Sequence, residues 1–460
     1  MLVYQLNPLL KQYLIVITVN LNLISSGMTL GWASPVLVKL SDEETTPLPR
    51  PLTQDEGSWV VSVTFIGGIL LFITPTMVNF LGRKYTILFS FLPHFTAGLL
   101  FIFGRRFWMV LAGRLLCGLG NAVLFYAVPI YSSEIASKEI RGSLGTILQV
   151  SCSLGFLIMV SIGPHLSYLS CNIMLTIFVV ITFIPSLFVP ETPYCLFIKG
   201  KTEESTKLLS SLRGSKSLAD EEISAYTSTT DETIIKSKII SKTFIKAMII
   251  LIILSLLGMI SGHNCVAFYL QTICISTNSS LSPELATAVV AFVSFLASCS
   301  SSFTTDRCGR KPILCWTALG MSFGMIGLGT FFYLKDSDYE ITGLINFVPL
   351  VSMVLVVIFY GAGFASLFFP LVPELFDGPG RAIGTAVANF SITALTFGTL
   401  KIFPLILQNL GPATTFYGFA GMCIVKCLFV AFFLPETKGK TILEIQEALG
   451  AKRNKFETKI

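Results

Sequence analysis

Residues 247–270 read AMIILIILSLLGMISGHNCVAFYL, a stretch that contains no Asp, Glu, Lys or Arg. A helix of about twenty apolar residues is long enough to cross the hydrocarbon core of a bilayer, so this run predicts a membrane span. The run is typical of the chain, in which 53% of residues are hydrophobic and 13% are charged. The mean hydropathy is +0.76, which indicates that lipid, not water, is the main solvent.

Similar apolar runs lie on both sides of this one and form two groups of six. We therefore expect an all-α membrane protein with twelve transmembrane helices in two pseudo-symmetric six-helix bundles. The expected divisions are an N-terminal bundle (1–189), a connector (190–243), a C-terminal bundle (244–437) and a tail (438–460). The expected spans centre on residues 13–32, 58–79, 85–104, 108–128, 144–166, 171–189, 247–270, 284–303, 312–333, 344–368, 384–408 and 413–434. Polar residues interrupt the first run, which favours a span over a cleaved signal peptide.

Basic residues indicate how the chain is oriented, because short cytoplasmic loops carry an excess of Lys and Arg. Most such residues fall in loops on one side of the predicted spans, in the connector and in the tail, whereas Arg105 and Arg106 lie on the other side. We expect a multi-pass protein of the cell membrane with both termini in the cytoplasm. Asn278 then begins an Asn-Ser-Ser glycosylation sequon in an outer loop.

The sequence contains no constellation typical of an enzyme. The three histidines, His94, His165 and His263, are far apart and have no acids at catalytic or metal-ligand spacing. Cysteines show no C-x-x-C pattern, and several lie inside apolar runs as small core residues. We expect no catalytic residue, metal or cofactor. The net charge of +6 comes from residues between spans, so the expected partners are the lipid bilayer and a small molecule, with no nucleic acid.

Three short motifs occur once in each group of spans, which indicates that one six-helix unit is used twice. The corresponding segments are Gly82-Arg83-Lys84 with Gly309-Arg310-Lys311, Glu134 and Arg141 with Glu374 and Arg381, and Pro190-Glu191-Thr192 with Pro435-Glu436-Thr437. Parallel repeats in transporters typically enclose a substrate site near the membrane midplane and move about it. The repeat predicts a carrier that works by alternating access.

Acidic residues accompany the repeated arginines at the cytoplasmic ends of the spans. Membrane topology alone requires Lys and Arg but no paired acid, so the preserved pairs favour a gating network over a purely topological role. Ion pairs of this kind hold one conformation closed and break in the other. The expected gating residues are Arg83, Glu134, Arg141, Glu191, Asp306, Arg310, Glu374, Arg381 and Glu436.

These motifs resemble those of the sugar porter family of the major facilitator superfamily. Residues 306–311 (DRCGRK) resemble its D-R-x-G-R-R loop, and residues 435–441 (PETKGKT) match its P-E-T-K-G-K-T motif. Residues 27–35 (GMTLGWASP) are similar to the first span of insect facilitated trehalose transporters. The resemblance covers nearly the whole chain and implies the major facilitator fold and transport of a sugar.

The same resemblance implies where a substrate binds. Gln149 matches the fifth-span Gln of the family, and Asn264 matches the Asn of its seventh-span S-G-I-N motif. Amides suit polyols because they both donate and accept hydrogen bonds. For a lone amide within a span, the alternative is a hydrogen bond between helices.

Other pocket positions depart from the family pattern. Gly258 and Met259 replace two glutamines, Phe369 replaces a tryptophan in a segment that has lost its prolines, and Ile392 replaces an asparagine. Together with Gln149, Asn264 and Thr29, the residues at 259, 369 and 392 are the expected substrate-binding positions. The pocket should therefore be more apolar than a typical glucose site.

The acids indicate how transport is coupled. Thr29 lies where proton-driven relatives have an Asp, and no other Asp or Glu falls in the middle of a predicted span, which favours facilitated diffusion. Lys426 is a cation inside the last apolar run, and the sequence alone predicts either a snorkelling side chain or one that faces a cavity. The leading substrate is trehalose or a hexose. The alternatives are a carrier for a less polar small molecule and a non-transporting membrane sugar sensor.

Overall fold

The apolar runs fold into helices, because a backbone in lipid must satisfy its own hydrogen-bonding groups. The computed structural model describes residues 7–68, 73–137, 140–232, 242–277, 281–305, 309–339, 341–376, 380–438, 440 and 442–449. No strand occurs within these ranges. The chain divides into two compact units, Met1–Ile235 and Lys236–Ile460.

In its described residues, the first unit contains thirteen α-helices and a short 3₁₀ turn, Gly163–His165. The helices are α1 (Pro8–Asn20), α2 (Asn22–Gly31), α3 (Ala33–Ser41), α4 (Gln54–Gly67), α5 (Thr74–Phe80), α6 (Arg83–Phe89), α7 (Phe91–Phe103), α8 (Phe107–Ile135), α9 (Arg141–Ile162), α10 (Tyr168–Ser186), α11 (Pro193–Ile198), α12 (Thr202–Arg213) and α13 (Lys216–Glu232). The last three form the charged connector.

The described part of the second unit contains nine α-helices, a 3₁₀ turn, Gly343–Phe347, and a π-helical turn, Gly361–Ala365. The helices are α14 (Lys242–Ile260), α15 (His263–Phe268), α16 (Leu270–Thr277), α17 (Pro283–Thr305), α18 (Arg310–Asp336), α19 (Val348–Tyr360), α20 (Ser366–Leu375), α21 (Gly380–Phe433) and α22 (Ile442–Ala448).

Within the described residues, ten helical segments are long and apolar enough to cross a membrane. Two further spans complete the set. One is formed by α4 and α5, which lie on either side of residues outside the described ranges. The other arises because α21 contains a non-helical residue, Gly411, with φ 77° and ψ 161°, that divides it into the last two spans. The prediction of a twelve-helix membrane protein is confirmed.

The first span is longer than expected, since it runs from Pro8 to Ser41 and not over 13–32. Its polar N-terminal turns are buried against the connector. The Lys11 Nζ donates to Ser211 Oγ (2.9 Å), and the Gln12 Nε2 donates to the Leu212 carbonyl (2.7 Å). Hydropathy underestimates such a helix because tertiary contacts, not lipid, surround its polar end.

Glycines allow α2 and α9 of the first unit to approach backbone to backbone. A Cβ atom at Gly27 of α2 would overlap the Cys152 carbonyl of α9, and one at Gly155 of α9 would overlap the Ile24 carbonyl of α2. Small residues commonly form helix interfaces in membranes, where close packing replaces the hydrophobic effect as a source of affinity. The α2–α9 contact therefore depends on the absence of side chains at both positions.

Gly155→Val should destabilise the first unit by about 1 to 3 kcal/mol or more, because a side chain would be forced into backbone atoms. The expected results are a lower melting temperature in detergent and a reduced yield of folded protein. Gly421→Val is the matched control, because no atom lies within 4 Å of a Cβ atom at that position. Equal melting temperatures for the two variants would show that the contact is dispensable.

Candidate functional site

The first motif cluster joins three helices at one end of the first unit. Arg83, the first residue of α6, donates from Nε (3.1 Å) and Nη2 (2.9 Å) to Glu134 Oε1 near the end of α8. The Thr192 hydroxyl, at the start of α11, donates to the other oxygen of Glu134 at 2.5 Å. Both charged side chains are largely buried, with 7% and 15% of their surface exposed. Partial burial strengthens such a pair relative to a surface salt bridge.

The second unit repeats this arrangement, with one guanidinium donor in place of two. Arg310, the first residue of α18, donates from Nη2 to Glu374 Oε1 (3.0 Å). The Thr437 hydroxyl donates to Glu374 Oε2 at 2.5 Å. The sequence repeat is thus a repeat of structure, and the Arg–Glu–Thr triad is its core. A gating network requires an acid paired with the arginine in each unit. Membrane topology alone requires no such acid.

A second glutamate in each unit holds the helix that carries the arginine. The Glu436 carboxylate accepts from the backbone N–H groups of Arg310 (2.9 Å) and Lys311 (3.1 Å), the first turn of α18. Glu191 accepts in the same way from the Lys84 N–H (3.1 Å) in α6. A carboxylate is favoured there because it satisfies free N–H groups and the positive end of the helix dipole.

These carboxylates also explain the glycines that precede the arginines. A Cβ atom at Gly82 would overlap the Glu191 carboxylate, and one at Gly309 would lie 2.5 Å from Glu436 Oε2. The Gly-Arg-Lys motif therefore pairs a residue without a side chain with an acid from another helix.

The titration of Glu436 follows from its partners. Burial alone would raise the pKa of this carboxyl, but the backbone N–H groups of Lys438, Arg310, Lys311 and Thr437 outweigh burial and lower its pKa below the ordinary value. The ionised form therefore stabilises the folded state fully above the pKa of the unfolded chain. That stabilisation is lost as the pH falls through the lower pKa of the folded protein.

Several predicted gating residues are not placed by the structure. Arg141 and Arg381 lie in the first turns of α9 and α21, but the structure does not describe their side chains. Asp306 and the sequon residue Asn278 lie outside the described residues. Their roles remain predictions from the sequence.

Thr29 belongs to a buried polar network of the first unit. Its hydroxyl donates to the Ser26 carbonyl (2.7 Å) and accepts from Asn121 Nδ2 (3.0 Å). The Asn121 Oδ1 in turn lies 3.0 Å from His94 Nε2. Thr29 is 1% exposed, so its hydroxyl is already engaged by the protein.

Arg114 is a buried cation that sequence reasoning missed. Its Nη1 donates to the Thr29 carbonyl (2.6 Å) and its Nε to the Val60 carbonyl (3.0 Å), while its guanidinium lies 5.1 Å from the Trp32 ring. Among the described residues no Asp or Glu side chain is fully buried, so carbonyl oxygens and an aromatic face surround this charge. An Arg inside the apolar run 108–128 was the signal that could have identified it.

Gln149 lies on α9 with much of its side chain exposed. Its Nε2 is 3.5 Å from the Ser153 hydroxyl, a long contact that leaves the carboxamide available. Both residues lie on α9, so this contact is not a hydrogen bond between helices, which was the alternative interpretation of a lone amide.

Asn264 is half-buried at the start of α15. Its Nδ2 lies 3.3 Å from Thr396 Oγ1 and 3.3 Å from Met259 Sδ, and its Oδ1 lies 3.3 Å from His263 Nδ1. Asn264 therefore joins α15 to α21, while one side of the residue stays accessible.

The residues that depart from the family pattern lie in different surroundings. Met259 is 2% exposed and belongs to the hydrophobic core of the second unit, against which Ile392 also packs. The side chain of Phe369 lies outside the description. A Cβ atom at Gly258 would overlap the Phe364 ring. The large residue at 364 thus fills the space that a side chain at 258 would need, so these two departures form one packed unit.

Lys426 is buried, and the interpretation as a snorkelling side chain is wrong. It is 2% exposed, its Nζ lies 3.8 Å from Met321 Sδ, and it lies 5.4 Å from the centre of the Phe364 ring. A cation above an aromatic face is stabilised by the ring quadrupole, which compensates in part for lost hydration.

Two bundles of apolar helices that carry the same Arg–Glu–Thr triad define a major facilitator carrier. Solved structures share this fold: the inward-open xylose transporter XylE from E. coli aligns with a TM-score of 0.81 at 21% identity over 95% of this chain and 99% of that chain. The sequence profile described as "Sugar (and other) transporter" matches residues 29–449. The chain belongs to this family, whose members are transporters and not enzymes, as the sequence predicted.

Curated relatives resemble the chain over nearly its whole length. The facilitated trehalose transporter Tret1 of Polypedilum vanderplanki is 30% identical over 445 residues, 95% of this chain and 88% of the relative. Tret1 of Apis mellifera ligustica is 30% identical over 448 residues, with 95% and 87% covered.

Glu374→Gln should slow substrate exchange with little change in equilibrium binding, because it removes the charge that pairs with Arg310 and does not touch Asn264. A loss of roughly tenfold or more in exchange rate is expected if about 1.4 kcal/mol of the pair is specific to one conformation. Counterflow and equilibrium binding measured on the same preparation test this division.

Glu204→Gln is the matched control, since the exposed Lys201–Glu204 pair should contribute little. Abolished binding in Glu374→Gln would contradict a conformational role.

Proposed function

We propose that the chain is a facilitative sugar carrier that works by alternating access. The observation that carries this proposal is the same Arg–Glu–Thr triad in both units, supported by membership of the sugar transporter family. The named relatives are trehalose transporters, and one structural neighbour, the proton:xylose symporter XylE, is bound to a glucose derivative, 6-bromo-6-deoxy-D-glucose. The leading substrate is therefore trehalose or a hexose.

Binding is assigned to amides of both units. Gln149 supports this role because its carboxamide is exposed, and Asn264 because one side of it is accessible. The buried Thr29 and Met259 and the partly buried Ile392 are assigned supporting positions that shape the site. Phe369 is assigned by its place in the family pattern.

The coupling mode is assigned from the buried charges. Thr29 provides no titratable group, and no fully buried carboxylate occurs among the described residues. A protonatable acid within the membrane is the usual means of driving uptake with protons. We therefore assign facilitated diffusion to this chain.

The proposed topology places the triads, the connector, the tail and both termini in the cytoplasm of a cell-membrane protein. The proposed divisions are the two bundles (1–189 and 244–437), the connector (190–243) and the tail (438–460). Asn278 then lies outside, and a mass shift on glycosidase treatment that is absent from Asn278→Gln would support this orientation.

Uptake of trehalose and a panel of hexoses by proteoliposomes tests the proposed function directly. Saturable uptake of at least one sugar is expected. Saturable uptake confined to less polar compounds would favour the less polar cargo. Binding without uptake would favour a sensor.

Uptake should equilibrate and not concentrate, because Thr29 cannot carry a proton with the sugar and no carboxylate in the described part of the chain is fully buried. The measurement compares the final internal sugar concentration with and without an imposed inward proton gradient. Equal plateaus at the external concentration are expected. Accumulation above the external level under the gradient would show that another group carries protons.

Gln149→Ala should weaken sugar binding by about 1 to 3 kcal/mol, the cost of leaving substrate hydroxyls without their partner. The same helix offers Ser153→Ala as a control, which removes the long 3.5 Å contact to Gln149 and leaves the carboxamide itself in place. Tryptophan fluorescence or scintillation proximity binding gives the affinities. An unchanged affinity in Gln149→Ala would remove this residue from the binding site.

A further inference from the structure

His263 begins α15 directly after a break in the seventh span. Gly262 has φ +86°, a conformation that side chains rarely adopt, and a Cβ atom there would lie 2.5 Å from Phe419. The glycine ends the straight run of α14 and sets the direction of His263. In the family motif S-G-I-N this position is an isoleucine, so the imidazole is a feature of this chain.

The imidazole is held flat against Tyr360. Their ring centres are 3.4 Å apart and their planes differ by 5°. Tyr360 continues into a row of rings along the tenth span, with Tyr360–Phe364 at 5.9 Å and Phe364–Phe368 at 4.9 Å. Lys426 lies over the middle ring, Phe364. This support fixes the position of the imidazole without a hydrogen bond to its far nitrogen.

The hydrogen bonds of the neighbouring residues determine which ring nitrogen carries the proton. The Thr396 hydroxyl donates to the Ile392 carbonyl at 2.7 Å, so its oxygen is available to accept from Asn264 Nδ2. The Asn264 Oδ1 therefore faces His263 Nδ1, 3.3 Å away, and Nδ1 must be the donor. In the neutral imidazole Nε2 is then an acceptor.

The Nε2 acceptor makes no hydrogen bond with any residue that the structure describes, and the side chain is half-buried and not sealed. An isoleucine offers no such acceptor. The amides that the family has at 258 and 259 are absent here, and Phe364 occupies the space at 258. The imidazole of His263, which follows the break at Gly262, offers a hydrogen-bond acceptor near the positions where the amides are missing.

We propose that His263 is a specificity-determining residue that accepts a hydrogen bond from one substrate hydroxyl through Nε2. The inference rests on the proposed function and specifies its substrate class: a neutral polyhydroxylated molecule with a hydroxyl donor facing α15. The second unit thus selects its substrate with an imidazole where its relatives use glutamines.

The test compares His263→Phe with the parent across a sugar and its monodeoxy analogues. Phe keeps the flat contact with Tyr360 and removes the acceptor. The KM for the parent sugar should rise roughly three- to tenfold, the range of one neutral hydrogen bond. For the single analogue that lacks the contacting hydroxyl, parent and variant should have the same KM.

Tyr360→Phe is the control that retains Nε2, and it should preserve the deoxy pattern of the parent. His263→Gln, which keeps an acceptor without the ring, should recover part of the affinity and serves as a second variant if His263→Phe does not fold. An unchanged KM in His263→Phe, or a KM raised equally for every analogue, would overturn the proposal. Absence of uptake of any sugar by the parent would instead overturn the proposed function.

Discussion

A carboxylate that accepts hydrogen bonds from the first turn of another helix organises each half of this protein. Glu191 and Glu436 fix the starts of α6 and α18, and those starts carry Arg83 and Arg310. Each guanidinium is thereby brought to the glutamate of its triad. Because the capping bonds go to backbone groups, they are independent of side-chain rotamers, and the arginine can leave its partner while the helix start stays in place. This separation is what the proposed gating role of the pair requires, because such a pair forms in one conformation and breaks in the other.

The sequence predicted the helices well, and it predicted the charged members of the triads as gating residues because charge stands out in an apolar chain. It paired the two glutamates with Arg141 and Arg381, however, and assigned no gating role to the two threonines. An acid and a base preserved at corresponding positions of two repeats can be recognised without coordinates, and the structure pairs Arg83 with Glu134 and Arg310 with Glu374. Arg114 was not recognised, since a single basic residue leaves a run strongly apolar. The network of Thr29, Asn121 and His94 was also missed, because it joins positions that are distant in sequence and shows no fixed spacing.

Departures from a family pattern gain meaning when their contacts are known. Taken one at a time, Gly258 and Phe364 look like a lost amide and a lost proline. In the structure the Phe364 ring occupies the space that a side chain at 258 would need. A glutamine restored at 258 alone would therefore overpack, and a proline restored at 364 alone would leave a cavity. The prediction of a more apolar pocket considered the polar groups that this chain lacks. It did not consider the polar group that the chain has gained at His263. The physical reason is that residues from several helices line a pocket, whereas a sequence motif describes residues of one helix.

Gly411 has a consequence for how the protein is made. The last two spans meet at this one non-helical residue, directly before Pro412, with no loop between them. A connection this short provides no loop that could remain in water if one span were inserted before the other. The two should therefore enter the bilayer together as a helical hairpin, and insertions at this point should block membrane integration itself.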